Sequence, residues 1–337
     1  MKNNKKMKIL ILLIVFVTLL TGCTKQLKDV DGKIVRNEKT GQTLPSNILC
    51  KPTDKEIIKL YEDTKAKQIK SLDKKLKNEK ITKSEYNKKK KSLLDVNKLI
   101  SCKKFTVTSG GYEGIWTTIF VKPLAWVLIQ LGELLKNYGL AIIAATIIIR
   151  MILFPITRKA AKQSELLKDA QGELSKIEKK YKDKKDQESM TMKSQEMMMV
   201  YKKHGINPMS GCIFGVIQIP LFLAFYEALY RLPVLFEDKF IIYNLSTTPI
   251  SGMKVGNYLY LLLPIIVGVV TYFSFRLNSG ASMGQDQAKQ MKLMTTIMMV
   301  MIVFTSFSMS SAIILYWITN SSFTIAQNLL IKRRKKQ

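Results

Sequence analysis

The stretch GLAIIAATIIIRMILFPI, Gly139 to Ile156, decides how the rest of the chain is read. It is apolar and almost long enough to cross a bilayer, which takes about 20 residues, yet it carries Arg150. An arginine at membrane depth costs about 2.5–3.5 kcal/mol on insertion scales. Such a residue either faces a wet cavity inside the protein or snorkels to the near interface. Arg158 and Lys159 already mark the polar end of the stretch, so Arg150 sits about two helical turns deeper. A buried, water-lined arginine is the preferred reading.

Outward from this stretch, charge and apolarity are segregated. The chain has 337 residues, 47% of them hydrophobic, and a formal charge of +29. Basic patches can signal nucleic acid, but long apolar blocks with charged ends point to a membrane protein with no specific nucleic-acid partner. At the N-terminus, Lys2, Lys5, Lys6 and Lys8 precede an apolar segment from Ile9 to Leu20, the pattern of a secretory signal over residues 1–22. It closes on Leu20-Thr21-Gly22-Cys23, which resembles the lipobox of bacterial lipoproteins. That resemblance implies cleavage before Cys23 and a covalent lipid, of palmitate type, on its sulfur. Cys50 and Cys102 flank a charged segment on what becomes the outer side, where either a disulfide or two free thiols fit. Cys212 lies in an apolar segment and reads as packing. No CxxC, HExxH, GxGxxG or phosphate loop is present, so no catalytic residue, metal site or diffusible cofactor is expected, and the chain does not read as an enzyme.

Residues 23–104 read as an extracytoplasmic, lysine-rich helical region. Thr82 and Glu85 fit a capping box that restarts a helix after a turn, with Leu72 and Leu76 on one arm and Leu93, Val96 and Ile100 on the other. Residues 114–137 carry Trp116, Ile119, Phe120 and Trp126 among Lys122, Gln130, Glu133 and Lys136. This suits an amphipathic helix lying in the interface. The rest, 138–336, reads as five spans: Gly139–Ile156, Gly211–Tyr230, Tyr258–Leu277, and two within Leu293–Ile331. Between the first two, residues 157–207 read as a helical hairpin, with Leu167, Ala170, Leu174, Ile177 and Tyr181 forming a seam at spacings of three and four. Residues 278–290 form a polar loop. Arg158, Lys159, Lys162, Arg276 and Lys332 to Lys336 fall on one side, which the positive-inside rule makes cytoplasmic. The fold expected is therefore an all-α polytopic membrane protein, with the N-terminal region outside and the hairpin and C-terminus inside.

The order of these parts resembles the YidC/Oxa/Alb family of membrane protein insertases, in its Gram-positive lipoprotein form. The residues that carry the resemblance are Ile149-Arg150-Met151-Ile152-Leu153-Phe154-Pro155, then Tyr201-Lys202-Lys203-His204-Gly205-Ile206-Asn207-Pro208 with Gly211-Cys212 and Gln218-Ile219-Pro220, and finally Leu315-Tyr316-Trp317 with Asn320. The resemblance implies a five-helix core with a hydrophilic groove open to cytoplasm and lipid. It implies nascent integral membrane proteins as clients, and the Sec translocon, the ribosome and membrane lipid as further partners. Arg150, Gln218, Trp317 and Asn320 are the groove residues it points to. Thr319, Ser321, Ser322 and Gln327 are polar groups in the same spans, where lipid-facing polarity is penalised. Glu227 and Arg231 read as an interfacial pair. The rival function is a small solute or anion transporter or channel with Arg150 as its anion site.

Overall fold

The computed structural model describes residues 25–334 apart from 39, 185, 208–209 and 279–284. The signal segment and the lipidation residue Cys23 lie outside the described residues, as does the side chain of Cys212. The chain is mostly helical and divides into two units. The first holds residues 1–142, 222–260 and 309–313; the second holds 143–221, 261–308 and 314–337.

In the first unit, helices begin where the sequence supplies caps. Asp54 accepts the amides of Glu56 and Ile57 at the head of α1, Lys55–Lys77. Thr82 and Glu85 form the expected capping box at the head of α2, Lys83–Ser92, satisfying two otherwise orphaned donors. The second arm is shorter than the sequence spacing suggested. It stops at Ser92, and Val96–Lys98 is a separate 3-10 turn. Val96 is drawn away because it is needed in a core with Leu27, Leu44, Ile48, Ile57, Tyr61 and Phe236. Residues 26–51 contribute four isolated β-bridges, and Lys239–Phe240 pairs antiparallel with Tyr243–Asn244 as β1 and β2. These corrections to an all-α reading are small and local. A disulfide joins Cys50 to Cys102, Cα atoms 4.9 Å apart.

A π-helical turn at Thr117–Val121 leads into α3, Lys122–Leu135, with Pro123 in its first turn. Lys136 then adopts a left-handed conformation, φ 54°, which ends the helix. Gly132 is required here: a Cβ would lie 2.1 Å from the Tyr138 ring. The segment Thr117–Leu135 is long and apolar enough to cross a membrane, although the sequence placed it along the interface.

Helix α4, Tyr138–Asp169, opens in the first unit and runs on through the second. The sequence ended this helix at Ile156, but Pro155 does not stop it. Thr157 bonds the carbonyls of Leu153 and Phe154 through its hydroxyl, and the helix continues into what was read as the arm of a separate hairpin. That arm is the end of α4 plus α5, Gln171–Lys180. It returns through α6, Gln187–Lys203, capped by Asp186 on the Ser189 amide. Ala170 and Leu174 of the expected seam are fully buried against Val200, Tyr201 and Ile206, with Leu167 and Ile177 at its margin.

The remaining helices are α7, Ser210–Arg231; α8, Val234–Glu237; α9, Pro249–Lys254; α10, Leu262–Asn278; α11, Gln285–Ser306; and α12, Ser311–Arg334. The start of α11 shortens the polar loop expected over 278–290. Among the described residues, three helical segments are long and apolar enough to span: Thr117–Leu135, Tyr138–Asp169 and Tyr258–Leu277. Helix α12 has the length but is interrupted by amides and hydroxyls, and those side chains form the site described next.

Candidate functional site

Arg150 is 2% exposed. Its Nε donates to Oδ1 of Asn320 at 2.5 Å, and its Nη2 donates to Oε1 of Gln218 at 2.7 Å. Three of the four groove residues read from sequence are thus one cluster, drawn from α4, α7 and α12. Tyr316, one turn before Asn320 on α12, is also buried and lies close enough to interact electrostatically with the guanidinium.

The cluster belongs to a longer polar seam. One or two turns apart on α12, Tyr316, Asn320, Thr324 and Gln327 are all buried, and their spacings of four, four and three put them on one face. Thr157 on α4 bonds Gln327 at 3.2 Å. Arg150 to Thr157 and Asn320 to Gln327 are both steps of seven residues. Two hydrogen bonds with the same step on both helices mean that α4 and α12 run parallel here, in register. In hydrocarbon each unsatisfied polar group costs several kcal/mol, so polar side chains on a spanning helix turn toward one another. This explains why α12 is too polar to pass as a lipid-facing helix.

The other sequence candidates divide. Trp317 is half-buried and donates its indole N–H to the Thr271 hydroxyl of α10 at 2.9 Å, so it is tied to a neighbouring helix. Thr319 gives its hydroxyl to the Leu315 carbonyl. Ser321 is buried, whereas Ser322 is exposed and outside the seam. Thr157 and Thr271 were missed. The step of seven shared by the two helices was the available signal for Thr157; nothing local distinguishes Thr271.

A second buried charge cluster lies wholly in the first unit. Arg231 donates to Oε1 of Glu227 at 2.9 Å, to Glu113 and to the Asn47 carbonyl at 2.7 Å. Trp116 Nε1 reaches the other oxygen of Glu227 at 3.1 Å. Lys122 is fully buried; its ammonium bonds the carbonyls of Ser109 and Gly111 and sits 3.7 Å from Glu113. Glu227 and Arg231 do form the pair that their spacing suggested, but a buried one: they are 4% and 2% exposed, and Glu113 and Lys122 complete a set of two cations and two anions. Outside the spans, Glu173 accepts from Lys203 at 3.0 Å and lies 2.9 Å from His204 Nε2. The His204 bond, followed by Lys203, holds its carboxyl below the usual glutamate range.

The model of the 60Kd inner membrane protein family matches residues 130–337. Membrane protein insertase YidC of Oceanobacillus iheyensis is 34% identical over 226 residues, covering 66% of this chain and 85% of that protein. The YidC of Alkalihalophilus pseudofirmus is 36% identical over 236 residues, 67% of this chain and 85% of its own length. Membrane protein insertase MisCA of Bacillus subtilis is 34% identical over 218 residues, 64% of this chain and 79% of its own. A solved structure, titled an active YidC insertase crystal structure with the first transmembrane domain resolved, is 28% identical; the match covers 65% of this chain and 48% of that one, at a TM-score of 0.47. The family match begins inside α3 and takes in Arg150, Gln218 and Asn320, and the chain belongs to the 60Kd inner membrane protein family, that of the YidC membrane protein insertases.

Proposed function

We propose that the chain inserts integral membrane proteins by offering them a polar path part-way into the bilayer. The spans are α4, α7, α10, α11 and α12. The hairpin of α5 and α6 and the C-terminus are cytoplasmic; the region before Thr117 lies outside, anchored by a lipid on Cys23. Nascent membrane proteins are the clients, received from the ribosome and shared with the Sec translocon. The observation that carries this reading is Arg150, held by Asn320 and Gln218 within a seam of buried polar side chains. Carboxamides orient a guanidinium without neutralising it, so its charge attracts an acidic client segment, more strongly at reduced dielectric. The client's apolar helix then enters lipid, and its burial at about 25 cal/mol per Å² drives the step. No nucleotide is called for.

The test is insertion of a matched pair of single-span clients, one with an acidic translocated tail and one with that tail neutralised, into proteoliposomes at equal protein levels. Arg150→Ala should slow the acidic client about tenfold, equivalent to about 1.4 kcal/mol, and the neutral client much less. Arg150→Lys should retain most of the activity, since charge matters here more than the planar fork. Equal loss for both clients would remove the charge from the mechanism. Solute flux without client insertion would favour the transporter reading instead.

A further inference from the structure

The hairpin of α1 and α2 has a charge pattern that insertion does not use. Between residues 70 and 91 there are ten lysines, Lys70, Lys74, Lys75, Lys77, Lys80, Lys83 and Lys88 to Lys91, against three acids. All ten lysines are exposed. Two of the three acids are occupied within the hairpin. Glu85 closes the capping box with Thr82, and Asp73 accepts the Tyr86 hydroxyl at 2.6 Å. Lys90 bonds the same hydroxyl at 3.0 Å. Lys89 lies within electrostatic reach of Glu85, and the other eight lysines have no side-chain hydrogen bond or ion pair among the described residues. Like charges three and four residues apart destabilise a helix by about 0.2–0.5 kcal/mol each, and α2, with no buried residue of its own, has little packing to offset them.

We infer that this hairpin binds a soluble, linear polyanion whose charges are phosphates, which a lysine ammonium meets as a point charge, since residues 55–92 carry lysines and no arginine to fork onto carboxylates. Two observations separate that partner from a bilayer surface. First, Lys83 and Lys88 to Lys91 point to every side of α2 at about 3.6 residues per turn. A plane meets only one side of a helix, whereas a flexible chain can wrap it. Second, none of the large hydrophobic side chains of residues 55–92 is exposed, so the hairpin has no apolar edge to sink into lipid, the feature that fixes interfacial helices. Binding a polyanion by lysine releases its condensed counterions, which makes affinity fall steeply with salt. It also relieves the repulsion that the hairpin otherwise carries.

The test uses the full-length protein in nanodiscs of zwitterionic lipid, with fluorescent poly(glycerol phosphate) as probe and anisotropy as readout. Replacing Lys88, Lys89, Lys90 and Lys91 together by Gln should weaken binding at least tenfold at about 0.15 M salt, and lower the log–log salt slope by about three. The control is the same charge change elsewhere: Lys176, Lys179, Lys182 and Lys184 replaced by Gln should leave binding within twofold. Matched thermal unfolding midpoints establish that both variants fold. No saturable binding by the wild type, or equal loss in both variants, would overturn the inference. So would competition by phosphatidylglycerol vesicles as effective as that by free polymer at equal phosphate, which would assign the hairpin to a membrane surface.

Discussion

Two arginines in this protein are almost equally buried, Arg150 at 2% and Arg231 at 2% exposure, and they are held in opposite ways. Arg231 meets two carboxylates, Glu227 and Glu113, and a fixed backbone carbonyl. Arg150 meets two carboxamides, Asn320 and Gln218. A carboxylate orients a guanidinium and cancels its charge; a carboxamide only orients it. One arginine is therefore spent on holding its unit together, and the other keeps a field that a third party can feel. Burial alone does not distinguish the two roles. The charge of the partners does.

The contrast can be broken most forcefully at Arg231. Arg231→Met strands the buried carboxylate of Glu227 and takes a partner from the more exposed Glu113; removing one partner of a buried pair costs about 3–5 kcal/mol. Its thermal midpoint and its abundance should drop sharply, while Arg231→Met combined with Glu227→Gln, which leaves Lys122 paired with Glu113, should recover most of the loss. If single and double variants unfold alike, charge balance is not what holds this unit. The Cys50–Cys102 bridge is the second tie there. Opening a link with a sequence separation of 52 should cost about 2–4 kcal/mol, read as faster proteolysis of the N-terminal region in Cys50→Ser/Cys102→Ser, with client insertion unchanged.

A sharper test converts one arginine's surroundings into the other's. Gln218→Glu puts a carboxylate where the carboxamide oxygen now accepts from Arg150 at 2.7 Å. The fold should hold, and insertion of an acidic client should fall about tenfold at equal abundance, with the neutral client nearly unaffected. An undiminished acidic client would show that the field of Arg150 is not what it responds to. The smallest effect belongs to the solvent-facing cluster of Glu173, Lys203 and His204. Because the Glu173 pKa is depressed in the fold, its contribution is present above the unfolded carboxylate value, about 4.3, and is lost as pH falls through the lower folded value. Hydrogen exchange at α5 and α6 should therefore quicken modestly in acid, and Glu173→Gln should reduce that dependence, the rest coming from Glu196 and Asp186, which are held low as well.

Much of the helical order was legible because hydrophobic periodicity and caps are local. Thr82 with Glu85, the seam of Ala170 and Leu174, and the polar interruption of α12 are all read within a few residues of themselves. Arg150, Gln218 and Asn320 were grouped in one groove by the family resemblance; nothing local does so, because their meeting depends on how three helices pack, which periodicity does not encode. The first spanning helix was ended at Ile156 because Arg158 and Lys159 mark the polar end of the apolar stretch, whereas the helix runs on to Asp169. The burial of Lys122 and Arg231 was missed for a related reason. A charge reads as exposed until its partners are known, and Glu113 is 118 residues from Arg231.

The passage of α4 through Pro155 has a mechanical consequence. From Arg150 to Asp169 the chain is one uninterrupted rod, about 28 Å long at 1.5 Å per residue, and its far end is locked by Ala170 into the packing of α5 and α6. Proline removes one rung of the backbone ladder and is where a helix bends most readily. The joint stands five residues from the guanidinium and fourteen from the hairpin. A bend taken up there would swing the longer arm, with the hairpin at its end, through a wider arc than the short arm that carries Arg150.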